Sequence, residues 1–112
     1  MAGTFKRIGP TALTNTLTTN IYNNSSALLY DVFTHINIVN KTNAAVSFSL
    51  WLGATGANAA GTEVIGQARL IAANSSFDWY GNLKLTSTDF LVGGASANTA
   101  LTITIESQQF VT

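Results

Sequence analysis

The sequence has no cysteine and a single proline among its 112 residues. Without cysteine, neither a disulfide framework nor a thiolate metal site can hold the fold together, so stability must come from a packed core. A chain of this length forms one ordinary domain and buries roughly two-thirds of its unfolded surface, which is enough for such a core. The absence of cysteine does not fix the cellular compartment.

Charge is also scarce, since only 9% of the residues are Asp, Glu, Lys or Arg and the formal net charge is zero. Ordinary soluble proteins carry roughly 25% charged residues. Nucleic-acid binding needs several Lys or Arg contacts to phosphates, so the five scattered cations predict no nucleic-acid partner. A neutral surface lacks the repulsion that keeps copies apart, which favours a homo-oligomer in a packed assembly. A neutral, very stable monomer is the alternative.

Long apolar runs are missing as well. No segment approaches the roughly 20 apolar residues of a membrane-spanning helix, so we expect no membrane partner. Lys6 and Arg7 could open a signal peptide, but residues 8–15 are too polar for its hydrophobic region. We therefore expect no classical signal sequence.

What the chain does have is a two-residue alternation of apolar and polar side chains. It is clearest in residues 46–52, 101–105 and 32–38. Such alternation is typical of antiparallel strands with one buried face. In residues 32–38, one predicted face holds Val32, Thr34, Ile36 and Ile38.

The predicted strands are residues 4–8, 17–22, 30–39, 44–52, 62–70, 75–80, 83–91 and 99–106, with 107–111 as a continuation. About eight short strands without helical periodicity predict an all-β fold, a single antiparallel β-sandwich or jelly-roll-like domain.

Polar and small residues separate the predicted strands. Residues 40–43 are predicted to connect two strands as a hairpin. Further connections are a flexible loop at residues 53–61 and turns at residues 72–75 and 93–96. The Gly9-Pro10 break divides the chain into an N-terminal arm and loop, residues 1–16, and a β-sandwich domain, residues 17–112. We expect residues 1–8 to extend away from the domain and pair with a neighbouring subunit.

Catalytic chemistry has little support in the sequence. His35 is the single histidine, so a two-histidine metal site is impossible, and we expect it to be a structural or surface residue. A serine triad needs a carboxylate that orients the histidine; Asp31 is poorly placed for this, and pairing with Asp78 or Asp89 stays open. No phosphate-binding or calcium-binding loop is present. We predict no catalytic, cofactor-binding or metal-binding residues, no small-molecule substrate and no enzymatic activity.

The aromatic residues are better candidates for recognition. Trp79 is expected to fill the core, whereas alternation places Trp51 on the outer face of its strand, where interface burial and exposure are about equally favoured. An exposed aromatic ring could also stack on a sugar. The candidate protein-interface residues are Phe5, Lys6, Arg7, Trp51 and Tyr80.

Several segments, taken together, carry a family resemblance. They are residues 17–22, 35–42, 45–52, 70–76 and 100–105. In order and spacing they resemble a family of small tailed-phage virion structural proteins, the cement or decoration type of capsid sandwich. The resemblance covers most of the chain from residue 17 onward and does not include residues 1–16. Its motifs are β-sandwich patterns rather than catalytic signatures.

The resemblance implies a non-enzymatic bacteriophage virion protein, made in the bacterial host cytoplasm and located in the particle, on the capsid exterior. Its partners would be the major capsid protein or other virion proteins, and as a cement or decoration protein it would stabilise the capsid lattice. A neck, tail or fibre component is the alternative within the same class. A carbohydrate-binding module that uses Trp51, Trp79 or Tyr80 is a third reading.

Overall fold

The computed structural model describes residues 3–112 of the protein. These residues form eight β-strands and contain no helix, and hence none long and apolar enough to cross a membrane. The strands are β1 Thr4–Ala12, β2 Asn20–Tyr22, β3 Leu29–Asn40, β4 Val46–Gly53, β5 Arg69–Ile71, β6 Ser76–Leu85, β7 Phe90–Ala95 and β8 Leu101–Val111.

The strands form two four-stranded antiparallel sheets. The first sheet has the order β1-β8-β3-β6, and the second sheet has the order β2-β7-β4-β5. The chain crosses from one sheet to the other at every connection except that between β4 and β5. Two four-stranded sheets interleaved along the chain in this order make a jelly roll. The predicted all-β sandwich of about eight strands is therefore confirmed.

The hydrophobic core lies between the two sheets and follows the alternation of the sequence. Each fully buried aliphatic or aromatic side chain contributes roughly 1.5–3 kcal/mol, so this layer is the main source of stability. Trp79 packs against it, as expected. The most deeply buried members are Phe33, Ile36, Ile38, Phe48, Leu50, Leu91, Leu101, Ile103 and Ile105.

The N-terminal segment differs from its prediction. Residues 4–12 form β1, which pairs antiparallel with β8 of the same chain from Thr4 opposite Gln109 to Ala12 opposite Thr102. The prediction that residues 3–8 leave the domain is therefore wrong, while Met1 and Ala2 lie outside the described residues. The long strand β8 offers a free edge of backbone donors and acceptors that β1 satisfies. The Gly9-Pro10 break is a shift of register within β1 rather than the start of a loop.

Two glycines predicted to punctuate strands lie inside them. Gly81 falls within β6, so the predicted strands 75–80 and 83–91 are replaced by β6 and β7. Gly93 lies in β7, where a Cβ atom would collide with the carbonyl oxygen of Ser49 on β4. At this position, glycine permits close backbone approach in the sheet rather than a turn. The turn follows later, at residues 96–99.

The predicted hairpin at residues 40–43 is a corner between the sheets, because β3 and β4 belong to different sheets. Asn40 is fully buried and organises this corner. Its amide donates to the carbonyls of Ala44 and Ile71 at 2.9 and 3.0 Å, and its Oδ1 accepts from the backbone and hydroxyl of Thr42. These side-chain bonds replace the strand-to-strand ladder that a hairpin would form.

Two predicted strands are shorter in the structure. Predicted strand 17–22 is reduced to β2, and predicted strand 62–70 becomes β5 together with a single bridge between Glu63 and Trp51. Around this bridge, the backbone at residues 62–66 bonds to Leu50 and Leu52. The predicted loop at residues 53–61 begins after Gly53, the last residue of β4, and residues 72–75 form the predicted turn, closed by a bond from the Ser75 N–H to the Ala72 carbonyl.

A buried carboxylate holds one end of the sandwich. Asp31 is fully buried, and its Oδ2 accepts hydrogen bonds from the Tyr22 hydroxyl and the Asn24 amide, both at 3.0 Å. Its Oδ1 accepts from the Gln109 amide at 3.3 Å and more weakly from Ser107. A buried carboxylate is stable only when such donors replace its water. The network joins β2, β3 and β8.

We expect Asp31→Ala to lower the free energy of unfolding by about 3 kcal/mol, because it leaves several buried donors without an acceptor. Urea unfolding followed by circular dichroism would measure this. Asp78→Ala, at an exposed position, is the matched control and should cost clearly less. Equal losses at both positions would contradict the structural role assigned to Asp31.

Candidate functional site

The side of the first sheet that points away from the core brings together most of the candidate residues of the first sheet. We call it the outer face and define it by Phe5, Arg7, His35, Asp78, Tyr80 and Glu106, with their neighbours on the same side. It spans all four strands of the sheet. Every second side chain along these strands belongs to it because strand side chains alternate between faces.

A charged cluster occupies the middle of the outer face. The Nε2 atom of His35 lies 2.8 Å from Oδ1 of Asp78 on β6, and its Nδ1 lies 3.1 Å from Oε1 of Glu106 on β8. The Asn37 amide donates to the same Asp78 oxygen at 2.9 Å. Ionised carboxylates only accept hydrogen bonds, so His35 satisfies both when it donates from both nitrogens as imidazolium.

The Tyr80 ring completes this cluster. It stacks on the His35 imidazole, with ring centroids 4.4 Å apart and planes 8° from parallel. Stacking of a cationic imidazole on an aromatic face adds an electrostatic attraction to the contact. Tyr80 is nevertheless 72% exposed, so most of its side chain is presented to solvent.

Register places these residues in one row across the sheet. His35 lies opposite Tyr80 on one side and opposite Glu106 on the other, and Glu106 lies opposite Arg7 on β1. The register of β3 shifts between Phe33 and His35. Because of this shift, Phe33 points into the core while His35 points outward. The single predicted face of Val32, Thr34, Ile36 and Ile38 is therefore wrong, since only the two isoleucines are buried.

The contacts of the cluster change its titration. The hydrogen bond to Asp78 raises the pKa of His35 above its ordinary 6.5, the bond to Glu106 raises it further, and burial works against both. The amide of Asn37 and the imidazole of His35 lower the pKa of Asp78 below its usual 3.8. Both ring nitrogens of His35 are engaged by carboxylates, so neither is placed to take a proton from a hydroxyl nucleophile. The cluster holds the charged groups of His35, Asp78 and Glu106 in fixed positions on the outer face.

A shallow depression of about 320 Å³ lies beside the cluster, at the β1 side of the outer face. It runs between β1 and the register shift at Thr34, and its floor is β8. Phe5, at its rim, is 83% exposed. The lining residues are Phe5, Lys6, Arg7, Thr34, Thr104, Glu106 and Ser107. Aromatic and charged groups thus border the outer face at both of its edge strands.

The structure brings three of the five predicted interface residues together. Phe5, Arg7 and Tyr80 lie on the outer face. Lys6 points to the other side of β1, where its Nζ donates to the Tyr22 hydroxyl at 3.0 Å and lies 5.0 Å from the centre of that ring. Trp51 is on the second sheet, on the side away from the core as alternation predicted, but it is only 6% exposed. Its own chain covers it, so Trp51 is not available as a surface contact.

Sequence reasoning missed the cluster itself. Asp78 was one of two acids left open as partners of His35, and the structure selects it. Glu106 and Asn37 were not considered, because their approach depends on the register between strands far apart in sequence. Within residues 3–112, no group of three or more His, Cys, Asp or Glu side chains is arranged to hold a metal ion.

Known proteins show little similarity to this chain. No family model matches the chain, and neither does any curated protein. One solved structure that matches is described as that of infectious bursal disease virus, Gt strain. The match has 14% sequence identity and a TM-score of 0.30, and it covers 95% of this chain. This chain spans 28% of the viral chain's length.

The His35 cluster predicts a definite pH dependence. Its stabilisation by imidazolium is fully present below pH 6.5 and is lost as the pH rises through the raised folded-state pKa. The contribution of Asp78 is present above pH 3.8 and is lost as the pH falls through its lowered pKa. The difference in unfolding free energy between wild type and His35→Gln should therefore be largest between these limits and shrink at alkaline pH.

An NMR titration of the imidazole provides the direct measurement. Asp78→Asn should lower the His35 midpoint more than Glu106→Gln does, because the bond to Asp78 has the larger effect on the pKa. A wild-type midpoint at or below 6.5 would show that the cluster does not hold the charged form.

The burial of Trp51 gives a second prediction. Trp51→Ala should reduce stability by about 3 kcal/mol or more, as expected for a large buried aromatic side chain. Tyr80→Ala, at an exposed aromatic position, should have a much smaller effect on chemical unfolding. If Trp51→Ala left the unfolding midpoint unchanged, the side chain would be a surface contact after all.

Proposed function

We propose that this protein is a non-enzymatic structural component of a bacteriophage virion, and specifically a cement or decoration protein that binds the major capsid protein lattice. The observation that carries the proposal is the outer face, a four-stranded surface with exposed Phe5 and Tyr80 at opposite edges and the hydrogen-bonded cluster of His35, Asp78 and Glu106 between them. The resemblance of the sequence to small tailed-phage virion proteins supports the same function.

The size of the outer face suits a protein partner. Four strands about 4.8 Å apart and about ten residues long give a flat surface of roughly 600 Å². Stable protein interfaces bury about 800 Å² on each partner, so a face of this size with some of its surroundings is sufficient. Exposed aromatic side chains are the residues that most often supply binding energy at such surfaces.

The charge distribution also fits a binding surface of this kind. With His35 protonated, Arg7 and His35 balance Asp78 and Glu106, and Lys84 is one further cation on the same face. Covering ionised groups carries a desolvation cost, which the hydrogen bonds of His35 to both carboxylates partly offset. On a repeating lattice, many copies of a modest contact add up through multivalency, so a small and weakly charged domain can stabilise a large shell.

A neck, tail or fibre position is the alternative within the virion. Such a position requires the same stable sandwich and the same adhesive face, and differs in the number of copies per particle. A carbohydrate-binding role has weaker support, because Trp51 is covered and one face of the Tyr80 ring is occupied by His35. A glycan array with no binding at millimolar ligand would remove that reading.

The proposal predicts that the double variant Phe5→Ser/Tyr80→Ser loses binding to purified virions of the phage that encodes the protein. Both side chains are largely solvent-exposed, so the variant should unfold at nearly the wild-type temperature. Leu70→Ser is the matched control, since Leu70 is 69% exposed on the second sheet. Co-sedimentation with particles measures the binding. Equal binding by wild type and the double variant would exclude the outer face.

Copy number distinguishes the two virion positions. Quantitative mass spectrometry of purified particles should give copies comparable to the major capsid protein if the protein cements the lattice. A dozen or so copies would place it at the neck, tail or fibres. Its absence from the particle would contradict the virion proposal as a whole.

A further inference from the structure

The two sheets end in four edge strands, and these differ in how well they are protected from pairing with a strand of another chain. On the second sheet, β2 and β5 are three residues long. On the first sheet, β1 carries Pro10, a shift of register and the cations Lys6 and Arg7, all of which hinder pairing with another strand. The remaining edge, β6, has ten residues and no proline, and its register against β3 shifts between Tyr80 and Leu83.

The sequence of β6 is nearly symmetric about its middle. On the outer face, Asp78 lies three residues before Gly81 and Lys84 lies three residues after it. Tyr80 and Asn82 flank the glycine directly. On the core side, Phe77 and Trp79 are matched by Leu85 and Leu83. A strand with this pattern is complementary to an antiparallel copy of itself.

We propose that β6 pairs with β6 of a second copy of this chain, antiparallel and centred on Gly81, so that the two first sheets form one continuous eight-stranded sheet. In this register Asp78 of each copy faces Lys84 of the other, which gives two ion pairs related by the two-fold axis. Directly opposed side chains in antiparallel strands have Cβ atoms about 4.5–5.5 Å apart, within reach of such pairing.

The other side chains of the strand fit the same register. Tyr80 of each copy faces Asn82 of the other, where the exposed phenol has an amide partner. Trp79 faces Leu83 of the other copy, so the core layer continues across the junction. Pairing on both sides of the shift at Gly81 and Asn82, from Phe77 to Leu85, also satisfies edge donors and acceptors of the backbone.

Neighbouring registers are less favourable. A slip by two residues places Lys84 opposite Tyr80 or Asp78 opposite Asn82, and both ion pairs are lost. A slip by one residue turns core-facing side chains outward and is excluded by the burial of the core face. The existing contacts leave the ions available, since the described hydrogen bonds of Asp78 use Oδ1, and Lys84, which lies 4.5 Å from the Tyr30 ring, is exposed.

Charge reversal tests the proposal in solution. Sedimentation of the wild-type protein at about 100 μM should show a dimer, since stable dimers have Kd values well below this. Lys84→Asp and Asp78→Lys should each raise the dimer Kd roughly tenfold or more, because two attractive contacts become two repulsive ones. The double variant Asp78→Lys/Lys84→Asp restores opposite charges and should recover the dimer.

Lys41→Asp is the matched control, because it makes the same charge change in a loop away from β6. Unfolding curves verify that each variant is folded, and Lys84→Asp alone tests the register if Asp78→Lys disturbs His35. A monomeric wild type, or a dimer that none of the reversals affects, would overturn the proposal.

Cross-linking tests the register independently, in a background without cysteine. Tyr80→Cys and Asn82→Cys proteins are each purified and then mixed under oxidising conditions. The centred register brings position 80 opposite position 82, so a disulfide-linked dimer should form rapidly in the mixture and not in either protein alone. A cross-link that forms equally well in one variant alone would show a different register and overturn the assignment.

Discussion

The structure depends most on the pairing of β3 with β8. These strands form the middle of the first sheet and stay paired from Leu29 opposite Val111 to Asn40 opposite Leu101. Their inner side supplies much of the core, including Ile36 opposite Ile105. Their outer side brings His35 to Glu106. The same pairing therefore fixes the hydrophobic layer, the buried Asp31 network and the charged cluster, and β1 and β6 are added at its two edges.

The scarcity of charge explains how the few ionised groups are used. Asp31 is held in the interior by hydrogen bonds from uncharged donors, while Asp78 and Glu106 share the single histidine. Three cations lie over aromatic rings: Lys84 is 4.5 Å from the Tyr30 ring, Arg69 is 4.4 Å from the Phe77 ring and Lys6 is 5.0 Å from the Tyr22 ring. Cations held in this way leave little free charge on the surface. The result is a surface with local polarity and almost no long-range field, suited to a close fit rather than to electrostatic attraction of distant partners.

Alternation in the sequence was sufficient to predict the sandwich and most of the strands, because it reports which side chains need burial. It could not predict where one strand lies beside another. The position of Gly93 inside a strand depends on the close approach of the Ser49 backbone on β4, which no local pattern encodes, while Gly81 lies against the ring of Trp79 in its own strand. The outward turn of His35 depends on a register shift in β3, and the pairing of β1 with β8 on an edge formed by the last strand. The candidate site was missed for that reason: each of its residues is ordinary in sequence, and only register brings them together.

The proposed β6 pairing and the proposed capsid contact reinforce each other through geometry. A two-fold axis perpendicular to the sheet leaves both outer faces on the same side, so one dimer presents roughly 1,200 Å² of continuous surface instead of about 600 Å². Attachment by two linked faces makes the second contact intramolecular, which raises the apparent affinity without any new kind of contact. Tyr80 and Asp78 lie at the junction, where they belong to both the edge and the face. A weakly charged domain with a moderate face can therefore bind a repetitive partner firmly, provided that the spacing of the partner's sites matches that of the paired sheets.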